Sequence, residues 1–92
     1  MPAVVEFSAL AAADLKTALL WYEVQRVGLG VELQKEVERA LRSVQSHPHL
    51  GVAIGGEVRR LLLRRFPYEL LYAVEAERLL ILSIRHQRSG RA

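Results

Sequence analysis

The hydrophobic period of this chain changes once, between residues 47 and 57, and that change decides most of what it can fold into. Upstream of it, apolar side chains recur at helical spacing. From Ala9 to Arg26 there is no Gly or Pro, and Ala and Leu dominate, which predicts a helix with Ser8 as its N-cap. Leu15, Leu19 and Tyr22 form one apolar line and Leu20, Val24 and Val27 a second beside it; Asp14, Thr17, Trp21 and Gln25 fall opposite. So wide an arc predicts a helix packed against both a sheet and another helix. Gly28 reads as the left-handed residue that ends it. A second helix is expected after Gly30, ending near Ser46 because Pro48 biases His47 away from helical dihedrals. Its face is Leu33, Val37, Ala40, Leu41 and Val44, and Glu38 and Arg42 stand at i,i+4 on the exposed side. A four-residue separator, Val27-Gly28-Leu29-Gly30, predicts an αα-hairpin.

Downstream the period is two. Val58–Arg65, Tyr68–Glu75 and Leu79–His86 read as strands, joined at Phe66-Pro67 and at Ala76-Glu77-Arg78, with Val4–Phe7 as a short strand at the start. Residues 47–57, with Pro48, Gly51, Gly55 and Gly56, read as a loop. The last strand is apolar on both faces and belongs inside the sheet. Short connections make the final three strands an antiparallel meander. The expectation is one α+β domain over residues 1–92 of order β-α-α-β-β-β, a helical hairpin packed on one face of a mainly antiparallel four-stranded sheet. Leu19, Tyr22, Val37, Leu41, Leu70, Tyr72, Leu82 and Ile84 are the expected core.

Several function classes drop out. The chain has no cysteine, which excludes disulfides, thiolate metal sites and cysteine nucleophiles. No apolar run approaches the ~20 residues that span a bilayer, and Met1-Pro2-Ala3-Val4 lacks the basic and apolar regions of a secretory signal, so a cytoplasmic protein without membrane contact is expected. His47-x-His49 has no third ligand nearby and reads as a surface loop, so neither metal nor cofactor is expected. Gly28-x-Gly30 lies between helices rather than between a strand and a helix, unlike a phosphate-binding loop.

Charge is distributed unevenly. Residues 1–56 carry five basic and six acidic side chains, whereas residues 57–92 carry eight arginines, no lysine and four glutamates. Arg59, Arg60, Arg64 and Arg65 bracket Leu61-Leu62-Leu63, and on one continuous strand Arg60 and Arg64 would share a face. Arg85 lies on the last strand, and His86 and Arg88, at and beyond its end, would approach the same face. Such a face suits an anionic partner, and arginine with an imidazole is the minimum that phosphodiester chemistry requires.

The run Arg59-Arg60-Leu61-Leu62-Leu63-Arg64-Arg65-Phe66-Pro67-Tyr68-Glu69-Leu70-Leu71-Tyr72 resembles the "R-x-hydrophobic-R-x-F-P-Y-x-hydrophobic-x-Y" signature of ParE-like toxins, in the RelE/ParE superfamily of bacterial toxin–antitoxin modules. Trp21-Tyr22-Glu23 with Gly28-Leu29-Gly30 is similar to the family's helix-hairpin signature, and Ile81-Leu82-Ser83-Ile84-Arg85-His86 to its last strand. The family pattern often continues into a second arginine, a proline and an aromatic pair; here the residues are Gln87-Arg88-Ser89-Gly90-Arg91-Ala92.

The resemblance implies a toxin of the plasmid-stabilisation type, neutralised in a hetero-oligomer by a small antitoxin. ParE-like members inhibit DNA gyrase without a recognised catalytic site. The alternatives are a RelE-like endonuclease that cuts mRNA on the ribosome, and a non-toxic basic nucleic-acid-binding module. For a ribonuclease, His86 would move the proton and Arg60, Arg64 and Arg88 would neutralise phosphate; no tyrosine follows His86. For the ParE-like reading, Arg59, Arg60, Arg64, Arg65, Arg85 and Arg88 form the basic target- or antitoxin-binding face, and Trp21 is an antitoxin anchor.

Overall fold

Ser8 starts the first helix by capping it. Its Oγ accepts from the Ala11 N–H at 3.0 Å and donates to the Leu82 carbonyl at 2.9 Å, so one hydroxyl caps the helix and ties it to the sheet. The structure, a computed structural model, describes residues 4–87. In chain order it runs β1 (Val4–Phe7), α1 (Ala9–Gln25), α2 (Leu29–Ser46), β2 (Val52–Gly55), β3 (Val58–Leu62), β4 (Tyr68–Glu75) and β5 (Arg78–His86). The described strands form one sheet of order β1-β5-β4-β3-β2, with β1 parallel to β5 and every other pairing antiparallel. No described helix is long and apolar enough to cross a membrane.

The sheet therefore has five strands rather than four. The additional one, β2, lies in the segment read as a loop and pairs with β3 through an irregular register at Ala53/Gly55. All four of its residues are exposed, so no inward-facing alternation marks it in the sequence. The next strand, β3, stops at Leu62 rather than Arg65, and Arg64 and Arg65 lie in the bend that leads to β4. The second helix starts at Leu29, so Gly30 is inside it. Gly28, at φ 91°, makes the left-handed reversal between the helices.

One glutamate explains the hairpin. Glu23 on α1 accepts the Gly28 N–H on Oε2 at 2.9 Å and the Gly30 N–H on Oε1 at 3.0 Å, satisfying donors that the first turn of α2 leaves open. Gly30 has to be small there. A Cβ would stand 2.8 Å from the Leu19 carbonyl oxygen and 2.9 Å from Glu23 Oε1.

The core lies between hairpin and sheet and includes Leu33, Val37, Val44, Leu70, Tyr72, Leu79, Ile81 and Ile84. The side of α1 that meets it is Ala11, Leu15, Ala18 and Tyr22, a stripe whose alanines allow close approach. Leu20, Val24 and Val27 consequently face solvent, at 58%, 82% and 86% exposure, and do not pack as expected. Leu19, Tyr22 and Leu41 are only partly buried.

Leu82 is half-buried too, and the reason is a bulge. Leu71 pairs with Ser83 and Tyr72 with Ile81, which leaves Leu82 without a partner on β4. Ile81 and Ile84, three apart, both reach the core because of that extra residue.

Candidate functional site

The sheet presents two surfaces. Pairing register puts Arg59, Leu61, Tyr68, Leu70, Tyr72, Ile84 and His86 on the side of the helices. Val58, Arg60, Leu62, Glu69, Leu71, Ala73 and Arg85 alternate with them on the open side. His86 and the Arg60/Arg85 pair are thus on opposite faces, contrary to the expectation that the imidazole approaches the arginine face.

The four arginines of residues 59–65 separate because β3 ends before the second pair. Arg59 Nη1 donates to the Gly51 carbonyl at 2.8 Å, holding the loop that enters β2. Arg60 and Arg85 converge on Glu69: Arg85 Nε stands 2.6 Å from Oε2 and Arg60 Nε 4.0 Å from Oε1. Arg65 turns back to α2, with Nη2 2.8 Å from Glu32 Oε1 and its guanidinium 5.8 Å from the centre of the Phe66 ring. Its hydrogen bond, opposed by some burial and assisted by the Arg26 charge, holds the Glu32 carboxyl below the ordinary value. Arg64 is exposed and forms no ion pair among the described residues. Arg88 lies outside the described residues. Four of the six described C-terminal arginines, Arg60, Arg65, Arg78 and Arg85, thus have a carboxylate close at hand, and Arg78 bridges Glu6 and Glu75 at 2.7 and 2.6 Å.

His86 instead closes an aromatic recess of about 280 Å³ with Thr17, Trp21, Tyr22 and Tyr68. Tyr68 stands directly opposite His86 in the sheet, with ring centroids 5.3 Å apart, edge to face. Tyr22 meets Tyr68 at 6.0 Å and Trp21 at 4.9 Å, also edge to face. Burial raises both phenol pKa values, with Tyr22 adding to the rise at Tyr68, so both hydroxyls are neutral donors at pH 7 rather than bases. The sequence reading puts Tyr22 in the core. The signal for the recess is that Tyr68 and His86, at the start of one strand and the end of the next, are cross-strand neighbours.

A larger feature is the groove between the helices. About 500 Å³ is lined by Phe7, Leu15, Leu19, Leu20, Val37 and Leu41, with Lys16, Gln34 and Glu38 as its polar members. Trp21 lines the recess rather than this groove. No group of three or more metal-ligating side chains is gathered among the described residues.

Residues 5–90 match the family described as the ParE toxin of the type II toxin–antitoxin system parDE. The chain belongs to the ParE toxin family. The fold of this ParE-family chain is shared with the chromosomal ParDE toxin–antitoxin system of P. aeruginosa at a TM-score of 0.77 and 22% identity, covering 90% of this chain and 94% of that one. The intact E. coli RelBE toxin–antitoxin complex aligns at 0.68 and 18%, over 90% and 94%. The isolated E. coli RelE toxin aligns at 0.68 and 17%, over 90% and 82%. No curated relative matches in sequence.

Proposed function

We propose that this ParE-family toxin acts by inhibiting DNA gyrase in the cytoplasm and is neutralised by a cognate antitoxin seated in the groove between α1 and α2. The observation that carries the reading is the division of the two sheet faces. In-line attack of a 2′-hydroxyl needs a base, an acid and cations around one phosphate. Here His86 sits among neutral aromatic rings on the helix side, while Arg60 and Arg85 are held by Glu69 on the open side. That arrangement favours a binding protein over a ribonuclease. The groove, with Leu20 exposed at its rim and Val24 and Val27 exposed further along α1, suits an apolar helix face from a partner that folds as it binds.

Purified protein is expected to block gyrase supercoiling in vitro and to leave ribosome-bound mRNA intact. Specific mRNA cleavage that disappears in His86→Ala would reverse the reading and make His86 catalytic.

A further inference from the structure

Glu69 is a carboxylate on the open face of a sheet, yet only 4% of it is exposed. Arg60 and Arg85 cover it, with Leu62 opposite on β3 and Arg85 opposite on β5. Both arginine side chains remain about two-fifths exposed, at 43% and 40%. They are accessible, yet Arg85 Nε is hydrogen-bonded to Glu69 and Arg60 Nε stands within ion-pair distance of it.

A charge-assisted hydrogen bond of 2.6 Å is among the strongest a guanidinium makes. A phosphate reaching Arg85 would have to compete with that bond while approaching a carboxylate that cannot turn away into water. The rest of the face offers nucleic acid little. Its described members on β3 and β4 besides Arg60, Glu69 and Glu75 are Val58, Leu62, Leu71 and Ala73, with no aromatic ring on which a base would stack.

We propose that Glu69 is a selectivity residue, an internal counter-ion that withholds Arg60 and Arg85 from phosphate and so closes the open sheet face to nucleic acid. The proposal does not rest on gyrase as the target, and its test uses nucleic acid alone.

The experiment measures binding of fluorescent oligo(dT) and an unstructured RNA oligomer to the purified chain by anisotropy, as log affinity against log salt. Glu69→Gln keeps the shape and removes the charge. It is expected to tighten binding about tenfold at low salt and to steepen the salt slope by about 1.4, the value for two newly available cations on a single strand. Arg85→Gln added to it should remove about half of that gain, one cation of the two. In the wild-type background, Arg60→Gln should leave affinity unchanged within about twofold, because that arginine is already answered. This last arm decides the question if Glu69→Gln does not fold, which circular dichroism would report. Two results overturn the proposal: Glu69→Gln binding no tighter than wild type, or Arg60→Gln alone weakening binding.

Discussion

Asp14 on α1 accepts the backbone N–H of Ile84 on β5, at 3.0 Å, across seventy residues of sequence. Strand β1 pairs with β5 only as far as Phe7 and Ile81, so beyond that point a helix side chain takes the place of a neighbouring strand. The same carboxylate oxygen accepts from Ser83 Oγ at 3.0 Å. Asp14→Ala leaves both donors open and should cost about 1–3 kcal/mol, with Asp14→Asn recovering part of it. Urea denaturation of the three proteins checks this.

The bulge makes a sharp distinction among neighbouring apolar residues. Ile81→Ala and Ile84→Ala remove fully buried side chains and should each cost about 2–5 kcal/mol. Leu82→Ala, at a half-buried position, should cost about 1 kcal/mol. Equal losses at residues 82 and 84 would contradict the register.

Acid should weaken the joint between α2 and the bend before β4. Burial pushes the Glu36 carboxyl up, but the N–H groups of Arg64 and Arg65, at 3.1 and 3.4 Å, and the Arg39 guanidinium at 2.7 Å together hold it below its ordinary 4.5. The folded protein thus binds this proton less readily than the unfolded chain. The resulting stability is complete above pH about 4.5 and is lost as pH falls through the depressed folded value. Glu36→Gln should lower stability at pH 7 by about 1–2 kcal/mol and flatten the acid limb of a thermal-melting profile.

The helical hairpin has two sensitive points. Glu23→Ala removes both contacts to the start of α2 and should cost about 1–2 kcal/mol. Gly30→Ala forces a methyl into contact with the Leu19 carbonyl and should cost about 1–3 kcal/mol. An alanine at position 30 as stable as wild type would mean that the helices lie farther apart.

If the antitoxin occupies the groove, Leu20→Glu should weaken its binding at least about tenfold without loss of fold, because Leu20 is exposed in the free toxin. Trp21→Ala should weaken it less, since Trp21 belongs to the neighbouring recess. Calorimetry with the product of the adjacent reading frame would measure both.

Period and turn chemistry made α1, α2, β4 and β5 legible to within two residues. Ser8 and Gly28 were readable because their roles are local: a cap and a reversal. What stayed hidden depends on contacts far apart in sequence. Apolar on nearly every side, α1 offers no stripe that says which side meets the sheet, and the answer lies in Ala11 and Ala18 rather than in its larger residues. Alternation could not foresee the extra residue at Leu82, which has no partner on β4, or the early end of β3, which parts Arg64 and Arg65 from Arg59 and Arg60. The partnership of Glu69 with Arg60 and Arg85 needed the register of three strands.

The parallel pairing of β1 with β5 sets the order in which this protein can come into being. Residues 78–81 supply the sole described neighbour of β1 in the sheet, and Leu79, Ile81 and Ile84 contribute much of the core. A nascent chain that has emerged only through β4 has two helices and an incomplete sheet, with nothing for its first strand to pair with. Closure of the fold therefore waits for β5, a strongly non-local final step. Poisonous activity that requires the closed fold cannot begin on a chain that still lacks β5.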